Sequence, residues 1–366
     1  MRNNGRSLLP WSQEIWDRID QVVHHECNRT TISSKFLPLY GPVSSDQLTI
    51  PTDSIEVNQA GRLIVREAAT NELIELVVEF TLTEQQVDRE EELGTAMTLA
   101  TRAANLLSQG FDAINFQGRS AVEEGPLQHP LFRRGADGTP PKVIVKSGIP
   151  GIGLLDAPDA NDKPDAQVVI VKERELDPTE IPPRWGENTF GAVAEAYSIL
   201  QNGIDLAQAH YGPYALVLHF VPYADTYAPL TTTLIIPADR LKPLVTEMPS
   251  DKDMYMQSED MHMYGRDMHY LYSRGYYPRY YGTGTLPKLR GLFLSLGGNT
   301  MDLVVGVDAK TEFVTEDTQG NYCFRVFKRF VLRLKDTSAV IRLEFADSSQ
   351  NGDYPGKDNP EGANRS

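Results

Sequence analysis

The chain is poor in cysteine, with Cys27 and Cys323 alone among 366 residues. Two such distant thiols give neither a disulfide framework nor the spacing of a zinc site. Each is read as a small apolar residue of a reduced protein. Runs of about 18 or more apolar residues are missing, so no segment is expected to span a membrane. The start, Met-Arg-Asn-Asn-Gly-Arg-Ser, lacks the apolar centre of a secretory signal. Positive charge is in short supply too: 35 Lys and Arg stand against 50 Asp and Glu, a net charge of −15. A surface of that sign repels phosphates and anionic lipid, which argues against nucleic acid and membrane as partners. A cytoplasmic location is expected.

Catalytic signatures are missing as well. There is no Gly-x-Ser-x-Gly elbow, no His-Glu-x-x-His and no P-loop. His24 and His25 are adjacent, so on a helix they point in different directions and make no metal face. His129, His210 and His219 have no partners at metal-ligand spacing. No enzyme and no cofactor is expected, although a triad assembled from distant residues leaves no trace in spacing.

What is present is a 40% hydrophobic chain long enough for two or three domains. Residues 12–28 read as an amphipathic helix capped by Ser12, with Trp11, Ile15, Ile19, Val22 and Val23 on one stripe. Thr49–Val57, Arg62–Arg66 and Leu73–Leu82 read as strands, with a polar connection at 67–72. They suggest a long two-stranded arm, which needs something to pack on. Residues 83–116 carry a long helical pattern with Ala96, Leu99, Ala103, Leu106 and Leu107 on its apolar face, and Gly94 and Gly110 as possible breaks. Ten prolines between Pro126 and Pro183 forbid long elements, leaving short strands at Lys142–Lys146 and Gln167–Lys172. A second helix is expected from Thr189 to His210, and Tyr214–Phe220 reads as a buried strand. Leu292–Leu296, Met301–Val307, Glu312–Thr315, Tyr322–Leu334 and Ala339–Phe345 read as strands. The tail from Asp347 has no apolar run and is expected to be disordered.

One stretch nearly repeats every seven residues: Asp253-Met254-Tyr255-Met256, Asp260-Met261-His262-Met263, Asp267-Met268-His269-Tyr270. On a helix this period aligns Met254, Met261 and Met268. Two readings stay open. The series packs as an amphipathic helix, or Met254, Met261, His262, Met268 and His269 offer soft and imidazole ligands to a transition metal.

The ordered combination of several segments resembles the encapsulin (linocin-like) family. They are Ser7-Leu8-Leu9-Pro10-Trp11, Trp16-Asp17-Arg18-Ile19-Asp20, Tyr40-Gly41-Pro42, Glu75–Leu82 leading into Val87-Asp88-Arg89-Glu90-Glu91, Phe111–Gly118, Gly148–Ile152, Gly212–Val217 and Gly297-Gly298 before Asp302–Asp308. The resemblance implies an α+β, HK97-like capsid fold with P-domain, E-loop and A-domain. It divides the chain into a luminal N-terminal helix (1–35) and a strand region (36–82) with the E-loop arm at about 45–80. The long P-domain helix (83–118) and a Pro-rich insertion (119–188) follow. Then come an A-domain with the Met/Tyr-rich stretch (189–290), the C-terminal P-domain strands (291–345) and the tail (346–366). The implied function is a self-assembling icosahedral shell of one kind of subunit. It would enclose a cargo enzyme through a short targeting peptide. Ferritin-like protein or dye-decolourising peroxidase is the implied cargo, and iron storage or oxidative-stress defence the role. Alternatives are a phage or prophage major capsid protein, and a bacteriocin or protease-like enzyme. Val77 and Phe80 are expected in the assembly arm. Trp11, Ile15, Ile19 and Val22 are expected either to anchor a cargo peptide or to glue the helix to the wall.

Overall fold

The computed structural model describes residues 5–41, 43–57, 62–161, 163–173, 185–203, 209–230, 234–246 and 278–346. In chain order the elements are α1 (Gln13–Thr30), β1 (Leu39–Tyr40), β2 (Thr49–Val57), β3 (Leu63–Glu72), β4 (Ile74–Thr83), α2 (Glu84–Asp88), α3 (Glu90–Leu93), α4 (Thr95–Gln117), β5 (Ile144–Ser147) and β6 (Val168–Val171). They continue with α5 (Gly186–Asn202), β7 (Tyr214–His219), α6 (Phe220–Thr226), α7 (Pro237–Leu241), β8 (Tyr280–Thr283), β9 (Arg290–Ser295), β10 (Met301–Glu316), β11 (Asn321–Leu334) and β12 (Val340–Phe345). Among the described residues no helix is long and apolar enough to cross a membrane.

Helix starts are written locally. Ser12 accepts the Ile15 amide at the head of α1. Thr83 and Gln86 form a reciprocal capping box at the head of α2. Gly94, in the left-handed region at φ 59°, breaks the long helical pattern before α4. Gly94 has no side chain to cap α4, and buried Glu90 supplies the acceptors instead. Its carboxylate takes the Ala96 amide at 2.7 Å and the Met97 amide at 3.1 Å. Gly110 stays helical; a Cβ there would come within 2.9 Å of Val143.

The first sheet runs in the order β1-β10-β11-β4-β5, with β10, β11 and β4 as long antiparallel neighbours. Strand alternation sends Ile74, Leu76, Val78, Phe324, Val326 and Phe330 to one face, where α4 lies. Ala96, Ala100, Ala103 and Ala104 let that helix approach closely, and Phe111 meets Phe330 with ring centres 4.3 Å apart. Helix α1 packs across α4 and β10. Each fully buried aliphatic side chain contributes about 1.5–3 kcal/mol.

The second sheet runs in the order β6-β12-β9-β7-β8. Leu216, Leu218, Phe293, Ile341 and Leu343 face the cluster under α5, built on Ala192, Val193, Ala196 and Leu200. Their neighbours Ala215, Val217, Leu292, Leu294 and Val340 join the main core on the other face. Burial of both faces explains why β7 reads as an unbroken apolar run.

Several expectations are corrected. The polar residues 67–72 continue β3 instead of forming a connection, so the arm is β2 paired with β3, Thr49↔Glu72 to Val57↔Leu63. Val77 and Phe80 are not in the arm. They lie in β4, inside the first sheet, where Val77 pairs with Phe327 and Phe80 with Phe324. The Asn at 71 and Glu at 72 disguised the strand, because an exposed hairpin tolerates polar residues on both faces. The helix expected to reach His210 ends at Asn202. Met301–Val307 and Glu312–Thr315 are one bulged strand. The Met/His series (Met254, Met261, His262, Met268, His269) and the tail lie outside the described residues.

Val77 is 1% exposed. Val77→Asp buries a carboxylate between β11 and β5, at a cost above about 4 kcal/mol. The variant is expected in the insoluble fraction, or soluble without a cooperative melt. A soluble subunit with the wild-type melting profile would contradict the placement.

Candidate functional site

Two features belong to no enclosed core: the β2–β3 arm and the outer face of α1. The arm is a two-stranded sheet of its own. Its root is fixed by apolar contact, with Ile50 packed among Leu73, Val304 and Val331. It is fixed again by charge. Arg325, Arg329 and Arg333 recur every fourth residue on β11, which places all three on the sheet face away from α4. Arg333 and Asp302 are cross-strand neighbours joined by two hydrogen bonds of 2.7 Å, and Lys335 reaches the same carboxylate at 2.7 Å. All three are buried. The Arg333 guanidinium also donates to the Pro51 carbonyl at 3.0 Å and lies 3.9 Å over the Tyr40 ring. Arg329 binds Glu75 and donates to the Ser45 carbonyl at 3.1 Å. Arg325 bridges Glu75 and Glu312.

Beyond this root apolar side chains of the arm are bare. Val65 is 60% exposed and Ile64 is exposed beside it. A hairpin with open edges and bare apolar side chains is marginal in water and offers its edge to another chain.

The stripe on α1 has a different fate. Trp11, Ile15 and Ile19 are buried in the main core, and Val22 is half-buried. Trp11 donates from Nε1 to the Val87 carbonyl at 2.8 Å and stacks on Phe324, which stacks on Phe80. Arg6 clamps Asp20 and the Thr311 carbonyl. The stripe is therefore taken up in attaching α1 to its own subunit. Trp11, Ile15 and Ile19 leave no apolar surface for a peptide, and Gln13, Glu14, Asp17, Arg18, Gln21 and His24 face outward.

Below α1, Asp112 accepts from the Ile32 amide (2.8 Å), the Ser33 amide (2.9 Å) and the Ser33 hydroxyl (2.6 Å). Burial pushes its carboxyl up to about 6, against the opposing pull of the Ser33 and Ile32 donors.

One constellation has the composition of a hydrolytic triad. His210 Nε2 lies 2.8 Å from the Ser338 hydroxyl, which donates to Asp336 at 2.5 Å. The order is wrong for nucleophile activation. In a triad the carboxylate holds the imidazole nitrogen that faces away from the serine, whereas Asp336 accepts from the Ser338 hydroxyl itself and so does not orient the ring as a base. The group pins the crossover from β11 to β12. Among the described residues no group of three His, Cys, Asp or Glu could hold a metal ion.

Sequence reasoning missed the arginine ladder. Its signal was legible: basic residues every fourth position in an otherwise apolar strand occupy one face. Their carboxylate partners were not, because Glu75 and Asp302 are some 250 and 31 positions away.

Two expectations follow. Asp302→Asn leaves Arg333 and Lys335 buried without their anion, and is expected to lower the unfolding free energy by about 3 kcal/mol in urea titration; an unchanged midpoint would refute the buried-network account. Asp112 has a raised folded pKa, so its contribution is present below the ordinary carboxylate value near 4 and is lost as pH rises through about 6. Over that range it amounts to roughly 3 kcal/mol. The melting temperature of Asp112→Asn should therefore depend less on pH between 4 and 7 than that of the wild type, and parallel profiles would rule the assignment out.

Residues 1–125 match the model of the Linocin M18 family, described as encapsulating protein for peroxidase. The type 1 encapsulin shell protein EncA of Myxococcus xanthus (strain DK1622) is 20% identical over 359 residues, covering 94% of this chain and 98% of that protein. Among solved structures, a virus-like particle from Pyrococcus furiosus superposes with a TM-score of 0.51 at 13% identity, covering 90% of this chain and 100% of the other. The capsid of Myoviridae phage XM1 gives 0.47 at 12% identity, covering 87% and 92%. The resemblance to encapsulin shell proteins thus holds in sequence, and the capsid fold in structure.

Proposed function

We propose, from a chain with an HK97-like capsid fold and a likeness to encapsulin shell proteins, that it assembles with copies of itself into a closed container around a cargo enzyme. The observation that carries this reading is the arm. Its root is braced by buried charge, while its outer half exposes Val65 and Ile64 and two unpaired strand edges. Such a structure is costly to build and is completed by a neighbouring subunit through strand addition and apolar cover. Many modest contacts closing together give a shell its stability.

The family's description as encapsulating a peroxidase favours a peroxidase cargo and a role in oxidative-stress defence over a ferritin-like cargo and iron storage. Because the α1 stripe is consumed in the subunit, a targeting peptide would dock elsewhere on the wall. Multiple tails on a cargo oligomer would compensate for a weak single site.

Expression of the chain alone is expected to give hollow particles of megadalton order in electron microscopy. Val65→Asp, at an exposed position, should leave the subunit melt within about 0.5 kcal/mol of wild type and abolish the particles. Monomeric wild type would overturn the shell reading, and intact Val65→Asp particles would overturn the role of the arm. Particles isolated from native cells should contain a peroxidase by mass spectrometry. A ferritin-like protein inside would reverse the choice of cargo, and packaged nucleic acid would favour a phage capsid.

A further inference from the structure

The charge of −15 is not spread evenly. Residues 131–146, between the end of α4 and β5, carry Arg133, Arg134, Lys142 and Lys146 against one carboxylate, Asp137. All four cations are exposed. The carboxylate of Asp137 is engaged by the amide and hydroxyl of Thr139. Arg133 donates to the Pro126 carbonyl at 3.3 Å, which brings this basic loop beside Leu127, 61% exposed. The loop is held by its apolar residues: Leu131, Phe132 and Val143 are buried in the main core, and the Val143 amide bonds the Leu131 carbonyl. It is therefore a fixed basic surface beside the exposed Leu127; of the two carboxylates that precede Leu127 in the chain, Glu123 and Glu124, the first is paired with Arg119.

The segment before the first turn of α4 carries the complement. In α2 and α3, Glu84, Asp88, Glu91 and Glu92 are exposed, and the one cation of residues 84–93, Arg89, is taken up by Glu92. Burial raises the Tyr322 phenol pKa, and the negative charges of Glu316, Glu84 and Asp88 raise it further. In the middle stands Leu93, 51% exposed. This surface too sets one exposed leucine beside charge, of the opposite sign.

The basic loop packs through Val143 on Gly110 of α4, whereas Glu84–Leu93 precede the first turn of that helix, and the stretch from Thr95 to Gly110 alone spans about 22 Å. They cannot meet within one chain. Two unlike, complementary surfaces on one subunit form a head-to-tail contact, the kind that closes rings when the rotation is right. We propose that the basic loop 131–146 with Leu127 of one copy docks on the acidic α2–α3 surface with Leu93 of a second copy. This inference rests on the shell reading. It names a contact separate from the arm, and one that sets orientation: opposite charges steer the approach, and like-charged ends repel in the wrong pairings.

The test is a charge swap in the full chain. Asp88→Lys with Glu91→Lys reverses the acidic surface, and Arg134→Glu with Lys142→Glu reverses the basic one. All four positions are exposed, so each protein should keep the wild-type melt and far-UV spectrum. Either double variant is expected to lower the assembled fraction at least tenfold at matched concentration and about 50 mM salt. Combining all four substitutions should restore assembly to within about twofold of wild type. Wild-type levels of particles from both double variants would overturn the proposal, as would failure of the combined variant to recover. A wild type that stays monomeric defeats the shell reading itself. Particles that form regardless of the swaps defeat only this contact.

Discussion

A buried carboxylate, Asp302, holds two buried cations, and the course of the arm depends on it. Arg333 can reach the Pro51 carbonyl and lie on Tyr40 because Asp302 has already fixed its guanidinium from the other side. Remove the anion, and the residue that orients the arm becomes an uncompensated charge. The arm itself contributes little to its own stability, since a two-stranded ribbon buries almost nothing. Its direction is therefore set at the root, by the first sheet.

The same sheet serves two purposes on its two faces. One face is apolar and receives α4 and α1, with small alanines bringing the helix close and Trp11, Phe324 and Phe80 stacked in series. The other carries the arginine ladder. This division gives one face to the apolar core and the other to the charged network that holds the root of the arm. It also explains why the buried part of the N-terminal stripe is closed to a peptide: α1 is part of the core and is not laid loosely over it.

Much of the fold was legible in the order of elements. Helix α1 with its Ser12 cap, the buried strand at Tyr214, the short strands among the prolines and the strand-rich last third stand where period and turn chemistry put them. The arm was misplaced by several residues because the half of β3 from Arg66 to Glu72 carries only polar residues and alanines, which removes the alternation that marks a half-buried strand. Val77 and Phe80 went to the arm for the same reason: their apolar run is the strongest β signal nearby, and it belongs to the sheet. The His210–Ser338–Asp336 group shows the converse. Its residue types suggest chemistry, and only the arrangement of the hydrogen bonds removes it.

By itself the sequence determined the local elements, the charge and the family likeness, because caps, periods and turn residues act over a few positions. Only the tertiary structure decided which apolar stripe is consumed in the core and which is left bare. It also decided that Asp302 and Arg333 share one buried site, and that the acidic and basic surfaces stand well apart along α4. Burial and ion pairing depend on neighbours far along the chain, and a linear pattern carries no measure of those distances.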